Sequence, residues 1–563
     1  MRVRLSAISF ALCFLLMVSV ALTGCGVGTS GSSVAAPTTA NVGTGQPTAE
    51  QSATTPTAAP TPTPVPPLAV QGIRVVPDPE VFSEAVDDPH ALLRYGLVDP
   101  SLVDRDIFNT VYRAIEKRQK KLDVSSFHYS RIMMNNLVAS VDTGFRLFYL
   151  KDFHVSRDGK TVTFSYTGDR EQILRDTETF HAQLGHLIYD VAPEGYTDLQ
   201  KLVALYDAVC RLSNYTSDMD DVNTWTPYSI VTQGQGICSG YALLMRYLLN
   251  QCGVQAEYVS NEPHAWNVVN IDGKWYNSDT TWGAGNPGDT MNNLNTLLLD
   301  DGTRAKSMED NGYTSEGVFL NGRQIEGTPP PACVDTKYNA YAQTGWCYAL
   351  DVEGQGVYFN GQAGIERMSL DCADRQTVLP DVFAYQMAFF NGVLYYLNLN
   401  DGSLYKYDGQ GDPVLLYGDA MLSDLKLDNA KLRYSHTEGE TTVTDTIDLL
   451  PGAVKLSNLS NAQAFAAAEV SRSQSFSWRV KFSVPLDPKT NWNERIYLAD
   501  EKGNAFPLLC QLDASGCELT VRPKSCLADA GRVSLLIDSE IVATNGTHLA
   551  TPCRQNVTIV SRQ

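Results

Sequence analysis

The sequence predicts a multidomain α+β chain: an α+β core, all-β repeats after it, and a C-terminal β-sandwich. Three observations predict this. Between about Leu199 and Trp282, apolar residues at helical spacing give way to two runs rich in Val, Ile, Trp and Tyr around Asp272-Gly273. That is the mark of helices packed on a two-residue β-hairpin. Gly356-Val-Tyr-Phe, Gly392-Val-Leu-Tyr and Lys431-Leu-Arg-Tyr recur at intervals of 36 and 39 residues, each an apolar strand followed by a turn and a second strand. From about Ala466 onward, short strands alternate with turn residues, as in Phe482-Ser-Val-Pro-Leu-Asp-Pro-Lys-Thr and Leu519-Thr-Val-Arg-Pro, which reads as a sandwich.

In chain order, Arg2 and Arg4 precede an apolar run from Ala7 to Leu22, short of the ~20 residues a spanning helix needs and suited to a signal peptide. Leu22-Thr23-Gly24-Cys25 resembles a bacterial lipobox. That resemblance implies removal of residues 1–24, lipid on Cys25, and an extracytoplasmic protein anchored to the cell membrane. Residues 25–68 carry one charge, Glu50, among Ser, Thr, Ala, Gly and Pro, and read as a disordered stalk that cannot bury a core.

The chain has 43 Lys plus Arg against 63 Asp plus Glu, a formal charge of −20; losing Arg2 and Arg4 with the leader, and no acid, takes this to −22. Such a surface argues against nucleic acid or anionic lipid as a partner, because phosphate contacts need local cations. Of twelve cysteines, Cys13 leaves with the leader and Cys25 takes lipid. Cys510, Cys517, Cys526 and Cys553 cluster where export permits bridges, and Cys510 with Cys517 is one candidate pair. No zinc spacing occurs. Asp218-Met-Asp-Asp-Val-Asn lacks the Gly and distal Glu of a calcium loop, so neither metal nor cofactor is expected.

Residues 69–196 read as an α+β extension. Ile107 to Leu122 is amphipathic and helical, Asp158-Gly159 turns a hairpin, and Glu171 to Val191 forms a second helix. Residues 197–328 are the core, opened by Thr197-Asp-Leu-Gln200, a capping box ahead of the stripe Leu199, Leu202, Val203, Tyr206 and Val209. Pro329 to Pro331 close it. The β repeats follow over 334–455 and the sandwich over 460–563. Three repeats fall short of the roughly four blades that close a propeller, so an open array is expected. Its aromatics suit strand cores or a glycan surface.

The chemistry concentrates on Cys238, His264 and Asp279. Cys238 opens a helix over Ser239 to Asn250 that Gly253 stops; there the unpaired N–H groups and the macrodipole favour a thiolate. Counting back along the hairpin from Ile271 opposite Lys274, Trp266 faces Asp279 and His264 faces Thr281. Period-2 alternation then makes His264 and Asp279 diagonal neighbours on one side of the ribbon. The carboxylate can orient the imidazole, and the imidazole can take the thiol proton.

Gly-Gln-Gly-Ile-Cys238-Ser-Gly-Tyr, His264-Ala-Trp-Asn and Trp275-Tyr-Asn-Ser-Asp279-Thr-Thr-Trp, with a preceding helix ending in Asn214-Tyr215, resemble the transglutaminase-like superfamily, relatives of papain-type thiol enzymes. The resemblance implies Cys238 as nucleophile, His264 as general base and acid, and Asp279 as orienter. The Cys238 N–H is the first oxyanion donor. The second comes from Gln233 or Gln235, unless both are solvated loop residues. Residues 69–196 resemble the region preceding this core in exported Gram-positive relatives, and 460–563 resembles bacterial Ig-like domains.

Two functions follow. In one, a tethered thiol enzyme forms an acyl-enzyme at peptide or isopeptide amides of protein or cell-envelope substrates, as a cysteine peptidase or a cross-linking acyltransferase. In the other, the same fold is a non-catalytic envelope-binding or adhesion scaffold.

Overall fold

The computed structural model describes residues 65–82, 103–141, 146–216, 222–261, 263–284, 292–320, 329–418, 421–450 and 461–561. The expected leader, Cys25 and nearly all of the stalk lie outside these, as does most of the acidic loop at 218–223. Among the described residues no helix is long and apolar enough to cross a membrane, and no group of His, Cys, Asp and Glu could hold a metal ion.

The core is built around two helices and an antiparallel sheet. Thr197 and Gln200 cap each other reciprocally, and the helix they start, Asp198–Leu212, buries Leu202, Val203, Leu205, Tyr206 and Val209. The helix Cys238–Gln251 packs on a four-stranded sheet in the order Phe319–Leu320, Ala256–Ser260, Ala265–Ile271, Lys274–Ser278. Asn214–Tyr215 is not the helix end that the motif implied. It forms a short strand parallel to Gln235–Gly236.

The extension shares this core: Phe108, Val111, Phe180 and Leu184 lie in one apolar cluster with Leu202, Tyr241 and Leu248. Its first helix stops at Glu116, short of the expected Leu122. Lys117 to Lys121 offers no apolar residue at helical spacing, Arg118 turns the chain at φ 55°, and Lys121–Asp123 becomes a strand against Thr161–Tyr166. The second helix, Arg170–Gly185, runs on into a π-helical turn over His186–Val191.

The three recurrent motifs are the second strands of three successive antiparallel sheets, spanning 348–380, 384–417 and 423–448. Apolar clusters join each sheet to the next, and among the described residues none joins the first sheet to the third. It docks on the outer face of the capped helix, where the Tyr348 hydroxyl donates to Asp207 Oδ1 at 2.6 Å and Gln200 Nε2 donates to the Val352 carbonyl at 2.9 Å.

The C-terminal sandwich corrects the expected boundary at residue 69. Its first sheet runs Val70–Pro77, Phe476–Phe482, Glu518–Pro523, Leu508–Leu512, so a strand from the front of the chain completes a domain four hundred residues later. The second sheet holds Cys553–Val560, Arg532–Ile537 and Ile496–Asp500, with two short parallel strands at its edge. Trp478, Val480, Leu519, Leu535 and Val557 fill the space between. The last stalk residues are also tied down: Leu68 is buried and bridges Leu549, and the Pro66 and Pro67 carbonyls accept from Asn545 and Ser483.

Cys510 and Cys517 are free thiols, as are all ten described cysteines. The hairpin register explains the missing bridge. Cys510 faces Val521, and by the same count Cys517 falls in the turn opposite Ala514.

Candidate active site

The hairpin forms as its turn residues dictate. Asp272 and Gly273 both take positive φ, 53° and 79°, the left-handed pair of a type I′ turn, and Ile271 faces Lys274. The ladder continues to Asn267 opposite Ser278. Asp279 then leaves it to cap the short helix Thr280–Gly283, its Oδ1 accepting the N–H groups of Thr281 and Trp282 at 3.0 and 3.2 Å. His264 precedes the facing strand and is held through its backbone: its N–H donates to Asn261 Oδ1, and its carbonyl accepts the Asn261 N–H.

These constraints bring His264 Nε2 to 2.7 Å from Asp279 Oδ2, with His264 6 % exposed and Asp279 fully buried. The imidazole is also hydrogen-bonded to Cys238, the half-buried first residue of its helix. The helix has no side-chain N-cap at Ile237, and Gly240 N–H already donates to the Ile237 carbonyl, so among the described residues the Cys238 and Ser239 N–H groups are the ones left for a ligand. Gly234 takes φ 68° before the turn into the nucleophile segment. A Cβ on Gly236 would stand 2.5 Å from Ile230, which leaves no room for a larger residue there.

Electrostatics follow from burial and partners. Burial alone pulls the His264 pKa down; the charge and hydrogen bond of Asp279, then contact with Cys238, outweigh it and lift it to about 9. Burial also opposes the Asp279 charge, yet His264, Arg304 and the Trp282 N–H hold its pKa below the ordinary carboxylate range. Elsewhere burial pushes Cys252, Cys526 and Cys553 up to about 11, and Cys347, Cys372 and Cys510 up to about 12. Those thiols are poor nucleophiles near neutrality.

The glutamines offered as oxyanion donors lie just before the nucleophile helix. Gln233 is exposed at the end of a π-helical turn and Gln235 is half-buried on its short strand. Among the described residues neither side chain is hydrogen-bonded to the three groups.

Sequence reasoning missed two supports. Asn261 links the His264 backbone to the Thr314 carbonyl. Arg304, from the helix Asp301–Asp310, donates from Nη2 to Asp279 Oδ2 at 2.7 Å. In sequence Arg304 sits in an acidic, polar segment, Asp300 to Asp310, and no spacing distinguishes it from a solvated helix face.

The family model described as the transglutaminase-like superfamily matches residues 187–280, a segment that contains Cys238, His264 and Asp279 but not Arg304. Human kyphoscoliosis peptidase is 29 % identical over 175 residues, 27 % of this chain and 26 % of the relative; the mouse protein is 29 % identical over 126 residues, 19 % of each. The chain thus spans about a quarter or less of these relatives' length. A transglutaminase (TGase) crystal structure is similar at 16 % identity over 23 % of this chain and 44 % of that one, with a TM-score of 0.17, too low to carry weight. Residues 187–280 thus match the transglutaminase-like superfamily, within a multidomain α+β chain.

Proposed function

We propose that this chain is a thiol acyl-transfer enzyme acting on amide bonds of protein or peptide substrates. One observation carries the reading: a buried imidazole with Nε2 at 2.7 Å from a carboxylate, also hydrogen-bonded to a cysteine that opens a helix without a side-chain cap.

In the proposed reaction Cys238 gives its proton to His264, and the thiolate sulfur attacks the amide carbonyl. The oxyanion that develops meets the helix N-terminal N–H groups. When the intermediate collapses, the C–N bond breaks and the amine leaves with the proton from His264, producing a thioester on Cys238. Water or a second amine then attacks, His264 removes its proton, and the thiolate departs. Asp279 keeps the imidazole oriented and stabilises its charged form. That the human and mouse relatives are named peptidases supports an amide substrate.

Mass spectrometry of the chain incubated with peptide amides tests this. A thioester adduct on Cys238, absent from Cys238→Ala, is expected; its absence across diverse peptides, with Cys238 unreactive to iodoacetamide, would favour the scaffold reading. Released acid or incorporated fluorescent amine separates hydrolysis from cross-linking. We also infer a lipid anchor on Cys25, motivated by Leu22-Thr23-Gly24-Cys25. Cys25→Ser should leave the detergent phase or stall in processing, and unchanged partitioning would refute the anchor.

A further inference from the structure

Asp279 Oδ2 serves two partners at equal distance: His264 Nε2 at 2.7 Å and Arg304 Nη2 at 2.7 Å. The Arg304 guanidinium is 3 % exposed and lies over two indoles, its carbon 4.3 Å from the centre of the Trp282 ring and 4.8 Å from that of Trp266. His264 stacks near the same indoles, with ring centroids at 5.1 and 5.9 Å. Nε and Nη1 of Arg304 have no hydrogen-bond partner among the described residues. A buried cation with one bonded carboxylate and two unmet donors is a poor stabilising device, since a well-packed apolar side chain would do as well or better. Its placement is explained by what it does to Asp279.

The charges around the cluster can be enumerated. His264 faces Asp279 and Cys238, with the Tyr313 ring centred 6.0 Å away. Asp279 also faces the Tyr206 hydroxyl and the Cys210 thiol, and Arg304 the Tyr206 hydroxyl; both groups are pushed well above their ordinary pKa by burial and are therefore neutral. On the Arg304 helix, Asp300 caps its own N-terminus and Asp301 is bonded to Asn277 and the Cys333 N–H. The charged set is Cys238, His264, Asp279 and Arg304.

We propose that Arg304 is a positioning residue of this site: sharing Asp279 Oδ2 with His264, it holds the carboxylate ionised and aimed at the imidazole, and it keeps the set neutral before and after Cys238 passes its proton to His264. The inference rests on the acyl-transfer reading of Cys238 and His264. Thiolate, imidazolium, carboxylate and guanidinium then alternate in sign and sum to zero. Without Arg304 the same state leaves one uncompensated negative charge beside buried groups, so the thiolate forms at higher pH, and the imidazolium keeps its proton to higher pH.

The test is iodoacetamide labelling of Cys238 in the full chain across pH, followed on its peptide by mass spectrometry, for wild type, Arg304→Met, Arg304→Gln and Arg304→Lys. Both midpoints of the labelling profile should rise by about one pH unit in the two neutral variants and stay in place in Arg304→Lys. A uniform loss of rate with unmoved midpoints, or a matching shift in Arg304→Lys, overturns the proposal. So does failure of both neutral variants to fold while Arg304→Lys folds, because the cation then serves the fold. If wild-type Cys238 labels no faster than Cys517 at any pH, the acyl-transfer reading fails instead. The His264 NMR titration in Cys238→Ala still decides the role of Arg304: its midpoint should rise by about one unit with Arg304→Met, and an unchanged midpoint refutes it.

Discussion

The His264–Asp279 hairpin and the C-terminal sandwich are both antiparallel β structure, yet they are assembled in opposite ways. The hairpin joins residues fifteen apart through a two-residue turn; the first sandwich sheet needs Val70–Pro77 to reach Phe476–Phe482 across the whole chain. The hairpin's contacts are local and cheap in loop entropy, whereas the sandwich must wait for distant segments to meet. The candidate site can therefore form with its own domain. The sandwich cannot be complete without the segment that follows the stalk.

His264→Ala should break the local assembly most severely, slowing Cys238 labelling and acyl transfer by roughly 10²–10⁴-fold, the usual worth of a positioned general base. Asp279→Ala should cost less, because it loosens the base without removing it. Rates under fixed labelling conditions check both, and equal losses would mean that Asp279 does more than orient.

Deleting residues 65–78 should break the long-range assembly and leave the site. Val70 is buried in the sandwich, and Ile73 and Val75 pack on its core, so the loss is on the order of 5 kcal/mol from apolar burial. Calorimetry should show the sandwich transition lowered or lost, with Cys238 labelling kept, and the 65–78 peptide added in trans should restore it. An unchanged transition would show that the edge strand is dispensable.

A pH series sharpens the contrast, because the site carries a buried titrating pair. The folded-state pKa of His264 is raised to about 9, above its ordinary value near 6.5. Its contribution, about 3 kcal/mol, is therefore fully present below ~pH 6.5 and lost as pH rises through ~9. Denaturant melts of the intact chain should show that decline, and Asp279→Asn should flatten it; a flat wild-type profile would contradict the pairing.

The smallest effect belongs to the turn. Gly273 has φ 79° and open space around its Cα, so Gly273→Ala meets no clash and costs only the left-handed backbone strain, about 1 kcal/mol. Melting should record that loss with Cys238 labelling unchanged. A large loss of labelling would mean that the register depends on this glycine alone.

Sequence alone determined the features set by neighbours a few residues apart. The Asp272-Gly273 turn, the Thr197–Gln200 box and the helix start at Cys238 are each written in a short window of turn and capping chemistry, and the turn brings the segments of His264 and Asp279 alongside, where the Asn261 hold and the Thr280–Gly283 cap complete the contact. The tertiary structure decided the rest. Arg304 reaches Asp279 from another helix, Val70–Pro77 leaves the extension for the sandwich, Cys510 stays apart from Cys517, and Gln233 points to solvent. Periodicity says that a face is apolar or a side chain charged, but not which distant surface will cover it; that is settled only when the elements pack.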